Sequence, residues 1–323
     1  MARQQLERHQ VWLYLAAILL GLAVGSTAPG TTGQLEALLW PALGFLLYAT
    51  FTQVPLTHLP DAFRDRRFMA AVLIGNFVLV PLLVSGLLAF LPDDPVLRLG
   101  VLLVLLVPCT DWFITFAHLG GGDTGRAIAV SPVNLIVQIA LLPVYLWLLM
   151  GASFVEILAA DRIATVFCLI ILLPLLAAWL TERHVERRGN SAAVIARLAW
   201  VPVPLLALVV FLIAASQVQA VLGAVPVLGQ VLGVFLAFLL LAALLGAGLG
   251  QVMRLPVPAA RALIYSLGTR NSFVVLPLAL ALAPPWQTAT VVIVFQSLVE
   301  LLGMVAYLWA VPRLVAHDRA GVE

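Results

Sequence analysis

The chain contains no lysine, only two cysteines, and little charge of either sign, with Asp, Glu and Arg making up 10% of 323 residues. A soluble domain carries about 25% charge, so this scarcity over so long a chain excludes an ordinary soluble fold. Two cysteines, Cys109 and Cys168, give neither a disulfide framework nor a metal-ligand spacing. The five histidines are scattered, and there is no His-Glu-x-x-His or paired Asp-rich motif. An intramembrane enzyme is therefore excluded, and nothing in the pattern implies a cofactor or a nucleic-acid partner. What is abundant is apolar: 63% of the residues, in stretches of about 20 that do not alternate with period two. These features imply an all-α polytopic membrane protein and exclude a β-barrel.

Apolar windows and their breakers predict ten transmembrane helices: 11–28, 36–56, 68–91, 99–119, 126–150, 161–181, 195–215, 225–253, 258–282 and 286–311. The N-terminal stretch resembles a signal peptide, but no A-x-A-like site follows it, so it is read as the first span. An even count places both termini on one side. Arg3, Arg8, Arg64, Arg66, Arg67, Arg126, Arg183, Arg187, Arg188, Arg197, Arg254, Arg261, Arg313 and Arg319 fall at one face, against Arg98 and Arg162 at the other. The positive-inside rule then puts both termini in the cytoplasm of a cell (inner) membrane.

Ten helices divide into five plus five. Because five is odd, the halves 1–155 and 156–323 of this single transmembrane domain insert in opposite senses, as inverted repeats. Thr110-Asp111 is followed by Gln138 and Tyr145-Leu146-Trp147, as Thr269-Arg270 is by Gln296 and Tyr307-Leu308-Trp309. The fourth and ninth spans also share a defect at their centres, Pro108 in VPCTD and Gly268 in SLGTRNS. Interrupted helices in matching positions of two halves point to a carrier's binding site.

Asp111, Arg270 and Glu300 lie near mid-span. A charge at the bilayer centre costs about 2.5–3.5 kcal/mol at least, so such residues face a protein interior or a cavity. If the broken helices cross, Asp111 and Arg270 can form an ion pair, while a carboxyl left in apolar surroundings is suited to proton exchange. That makes Glu300, with Asp111 as a second candidate, the expected coupling residue. Asn134 and Gln138 share one face of the fifth helix, and with Asn271 and Gln296 they suggest a polar interior. Cys109 beside the break offers a thiol for a thiophilic ligand. Cys168 reads as packing, and His118 as an interfacial residue.

The stretch PCTDWFITFAHLGGGDTGRAIAVSPVNLIVQIALLPVY resembles the arsenite efflux permeases of the Acr3 type, within the bile acid:sodium symporter superfamily. The correspondence rests on Cys109, Gly122-Asp123, Asn134, Gln138, Tyr145, Asn271 and Leu298-Val299-Glu300. The resemblance implies two inverted five-helix repeats, a core of helices 3–5 and 8–10 with crossing helices 4 and 9, and a panel of helices 1, 2, 6 and 7. It also implies export of trivalent arsenic by proton exchange, using the cysteine and the tenth-helix glutamate. Sodium-binding positions of the bile-acid branch correspond here to Phe113, Ile114, Ser266 and Arg270, and an acidic position of the arsenite branch corresponds to Phe273. A guanidinium where a cation would sit repels sodium.

The expected activity is thus secondary active export of arsenite or a similar thiophilic metalloid oxyacid, with protons and the lipid bilayer as partners. Cys109, Thr110, Asn134, Gln138 and Asn271 would bind the substrate, and Cys109 would be the arsenic ligand. The alternative is symport of an organic anion, sodium- or proton-coupled, with Arg270 as the anion-binding residue.

Overall fold

The computed structural model describes residues 2–28, 30, 32–57, 64–151, 165–188, 191–282, 286 and 288–315. The expected repeat boundary at 155/156, Arg162 and Arg319 lie outside these residues. Among the described residues the backbone is helical: α1 Ala2–Thr27, α2 Thr32–Phe51, α3 Arg66–Phe90, α4 Pro95–Leu105, α5 Trp112–Leu119, α6 Thr124–Met150 and α7 Leu173–Arg188. There follow α8 Ser191–Leu198, α9 Pro202–Ser216, α10 Val218–Val252, α11 Val257–Gly268, α12 Ser272–Leu280 and α13 Thr288–Leu314. Single π-turns interrupt α3 at Gly75–Leu79 and lead into α7 at Phe167–Leu172.

Among the described residues, seven helices are long and apolar enough to cross a membrane. The difference from ten has physical causes. The first expected span lies on the 26-residue α1, of which the stretch Trp12–Thr27 is apolar. The fourth and ninth spans are each broken into two short helices, α4–α5 and α11–α12.

The chain forms two compact units. The first comprises 1–57, 152–229 and 273–295, and the second 58–151, 230–272 and 296–323. In the first unit α9 packs against α1 and α2, and α2 against α7. Gly21 and Gly25, four apart on α1, lie so close to Ala214 and Ala215 of α9 that a Cβ on either would strike the α9 backbone. Small residues at this spacing allow the close helix approach used in membranes, where dispersion rather than hydrophobic exclusion drives association.

In the second unit α11 packs against α3, α5 and α6, and α6 against α4 and α5. Its helix starts are capped by acids. Asp94 accepts the Val96 N–H at 2.8 Å ahead of Pro95, which opens α4. Asp65 accepts the Phe68 N–H at 3.0 Å at the start of α3, and Asp123 the Arg126 N–H at 2.9 Å at the start of α6. The turn before Asp123 depends on Gly121, whose φ of 71° favours glycine.

Arg126 clamps two of these caps together, through Nε to Asp65 Oδ2 at 2.8 Å and Nη1 to Asp123 Oδ2 at 2.5 Å. Both carboxyls are held below their ordinary value of 3.8. For Asp65 the main cause is the Phe68 N–H it accepts, and Arg126 adds to it. For Asp123 burial pushes upward, and the backbone N–H and guanidinium of Arg126 outweigh it. Depressed carboxyls stabilise the fold above their unfolded pKa, and that stability is lost as pH falls through the folded values. Thermal melts should therefore show stability declining below about pH 4. Arg126→Gln should cost about 1 kcal/mol at pH 7 and flatten this acid decline.

Candidate functional site

The chemistry-bearing residues gather in the second unit, where the two broken helices meet. Proline at 108 has no N–H and cannot continue α4, and Gly268 ends α11. A side chain at 268 would lie 2.5 Å from Tyr307 Cε2, so this close approach requires glycine. The freed peptide groups pair with one another. Cys109 N–H donates to Thr269 O at 3.1 Å and Asn271 N–H to Val107 O at 2.7 Å, as an antiparallel bridge between Pro108 and Arg270. The crossing is thus made by backbone.

Asp111 and Arg270 are not each other's partners among the described residues, which corrects the expected ion pair. Asp111 Oδ1 instead accepts the Cys109 Sγ–H at 3.2 Å. The Arg270 side chain reaches away from it. Nη1 donates to Leu105 O at 3.2 Å, and Nη2 faces Asn76 Oδ1 at 2.9 Å, Ser266 O at 3.0 Å and Leu267 O at 2.6 Å. The guanidinium also lies 5.3 Å from the centre of the Phe238 ring. Arg270 is fully buried and already engaged with protein oxygens. Both Nη groups are thus turned to protein oxygens, while Nε is buried without a hydrogen-bond partner among the described residues.

Glu300 has partners the sequence did not suggest. Its Oε2 accepts the Arg270 backbone N–H at 2.9 Å and Gln296 Nε2 at 2.7 Å, and Gln296 Oε1 accepts the Ser272 hydroxyl at 3.0 Å. Glu300 and Gln296 stand four apart on α13, on one face. Oε1 of Glu300 is buried and has no hydrogen-bond partner among the described residues. The carboxyl is therefore held at one oxygen and open at the other.

Thr110 and Asn271 are joined by a 3.2 Å bond from Asn271 Nδ2 to Thr110 Oγ1, and the Ser131 hydroxyl of α6 donates to Thr110 O. One and two turns further along α6, Asn134 and Gln138 are buried, and none of their amide atoms has a partner among the described residues. A buried amide left bare costs about 1–3 kcal/mol, so two on one helix face are not packing residues by default. Tyr145 is held apart from them, donating its hydroxyl to Phe77 O at 2.6 Å. Cys168 is exposed, and His118 is exposed with Nδ1 3.3 Å from Thr124 Oγ1.

The residues missed in the sequence are Asn76 and Ser131. Asn76 Nδ2 donates to Ser266 Oγ at 3.0 Å while its Oδ1 faces Arg270. An asparagine in mid-span, five residues before Pro81, was the available signal. The π-turn at Gly75–Leu79 carries Asn76 and buries it.

The model of the Sodium Bile acid symporter family matches residues 40–224 of this chain. The Arsenical-resistance protein Acr3 of Corynebacterium glutamicum is 30% identical over 146 residues, covering 42% of this chain and 39% of that protein. The match thus spans well under half of that relative's length.

The bare amides and the bonded ones have opposite consequences for stability. Gln138→Leu should leave the melting temperature unchanged or raise it, because no protein hydrogen bond is lost. Gln296→Leu strips Glu300 and Ser272 of a partner and should cost about 1–3 kcal/mol. Thermal melts of the two purified variants, compared with the parent, check this difference.

Proposed function

Because the chain belongs to the sodium bile acid symporter family, a family of secondary transporters, we propose that it exports arsenite or a similar thiophilic metalloid oxyacid in exchange for protons. The observation that carries this reading is the Cys109 thiol, placed at the crossing of the interrupted helices with an acceptor, Asp111 Oδ1, at 3.2 Å. The similarity to an arsenical-resistance protein supports it. Ten helices in two inverted repeats, 1–155 and 156–323, with both termini cytoplasmic in the inner membrane, complete the proposal. They are supported by the arginine distribution and by the paired breaks.

Neutral As(OH)₃ enters the site, and the Cys109 thiol exchanges with one hydroxyl. An S–As bond forms, an As–O bond breaks, and the thiol proton leaves with the hydroxyl as water. Asp111 Oδ1 holds that proton on its way. The open amides of Asn134 and Gln138 donate to and accept from the remaining hydroxyls, and Thr110 and Asn271 fix the adjoining backbone. Water reverses the thiol exchange on the opposite side. Glu300 carries the exchanged proton at Oε1, since Oε2 is occupied by two donors.

The alternative, symport of an organic anion, is favoured by the family's name, but both Nη groups of its expected anion ligand, Arg270, already face protein oxygens. Everted vesicles separate the two. Arsenite accumulation driven by a proton gradient should fall by about tenfold or more, roughly 1.4 kcal/mol, in Cys109→Ser. Glu300→Gln should lose the response to the gradient. Unchanged transport in Cys109→Ser removes the thiol step, and sodium-dependent carboxylate uptake abolished by Arg270→Ala establishes the alternative.

A further inference from the structure

The ends of α3, α6, α10, α11 and α13 in the second unit are tied together at one pole. Arg126 joins the starts of α3 and α6 through Asp65 and Asp123. Asp123 N–H donates to Pro258 O at 2.9 Å, which brings in the start of α11. Arg261 Nε donates to Val315 O at 3.1 Å, just past the end of α13. Leu255 N–H donates to Gly250 O at 2.9 Å and closes the turn from α10 to α11.

This pole carries four exposed arginines, Arg66, Arg67, Arg254 and Arg313. None has a carboxylate partner among the described residues. The described acids of the pole, Asp65 and Asp123, are both committed to Arg126. Asp93 and Asp94 lie beyond the far end of α3. The cations also stand where lipid-facing apolar surface ends. Val252, 78% exposed, lies two residues before Arg254. Trp309, 65% exposed, has the Arg313 guanidinium 4.1 Å from its ring centre. Arg254 has a φ of 48°, in the left-handed region, where backbone preference alone would place glycine after α10.

We propose that this pole binds the headgroup phosphates of anionic phospholipids. A guanidinium matches a phosphate bidentately, and an array of headgroups in one plane supplies the negative charge that the protein itself lacks here. The apolar surface at Val252 and Trp309 takes the acyl chains below those headgroups, a contact that free phosphate cannot use. The positive-inside bias governs orientation and does not by itself require the finished fold to bind lipid. This binding does not depend on which substrate is carried.

The test is thermal unfolding of the purified protein at low salt in phosphatidylcholine nanodiscs, with phosphatidylglycerol replacing about a third of the lipid in parallel samples. The parent should melt about 3 °C or more higher with phosphatidylglycerol. Sodium chloride at about 0.5 M should remove most of that rise. The fourfold variant Arg66→Gln, Arg67→Gln, Arg254→Gln, Arg313→Gln should melt alike in both lipids. Arg98→Gln, beyond the far end of α3, should keep the parent's response. Should the fourfold variant fail to fold, the pairs Arg66→Gln with Arg67→Gln and Arg254→Gln with Arg313→Gln should each lose about half of the rise. A parent that melts alike in both lipids overturns the proposal, as does a folded variant, fourfold or paired, that keeps the full response. Inorganic phosphate at about 20 mM, added to phosphatidylcholine nanodiscs, should give no rise. A rise equal to that with phosphatidylglycerol would make the ligand a free anion and overturn the assignment to lipid.

Discussion

Everything in the second unit depends on one backbone contact between two helices that each stop halfway. Lipid offers no partner to a bare peptide group, so an interruption in a membrane survives only where protein supplies the missing bonds. Here each interruption supplies the other's. Cys109 N–H meets Thr269 O, and Asn271 N–H meets Val107 O. That pairing places a thiol, an acid, an arginine and the amide of Asn271 within a few residues of a single point in the fold. The remaining half-helix ends then need charge, and the chain provides it from within: the Arg270 guanidinium at the carbonyl ends of α4 and α11, and the Glu300 carboxyl on the Arg270 N–H.

The same contact divides the polar groups into two kinds. Arg270, Asn76, Ser266, Gln296 and Ser272 hydrogen-bond to protein and hold the crossing. Asn134, Gln138 and Glu300 Oε1 are equally buried yet unpartnered among the described residues, a state that costs free energy unless something else binds there. In a family of transporters, bare polar atoms beside a broken helix pair are where a cargo and a proton would be exchanged. Bonded and bare polar groups thus stand side by side, and Glu300 carries one of each.

Much of this was legible in the sequence. Apolar runs gave the spans 68–91 and 126–150 to within two residues of α3 and α6, because a lipid-facing helix must be apolar throughout. Pro108 and Gly268 marked the breaks, since one cannot donate and the other alone allows Tyr307 so close. The partnerships were harder to read. Asp111 and Arg270 occupy matching positions and carry opposite charge, so a pair was the natural expectation. Yet a side chain as long as arginine reaches the carbonyls at its own helix end, three and four residues back, before it reaches across a crossing. Asn76 stayed hidden because a lone asparagine in an apolar span says nothing about its partner until a π-turn aims it. Of the ten expected spans, the fourth and ninth are missing from the seven long ones among the described residues because a broken helix is two short helices to any rule based on length.

We propose that the crossing is a substrate site opened to each side of the membrane in turn, with Cys109 in it. Labelling of Cys109 by a membrane-impermeant maleimide, in right-side-out and everted vesicles of a Cys168→Ser background, tests it most directly. The account predicts labelling from both sides, with arsenite protecting the thiol in each orientation. A thiol that reacts from neither side, or one that reacts identically with and without arsenite, would contradict it.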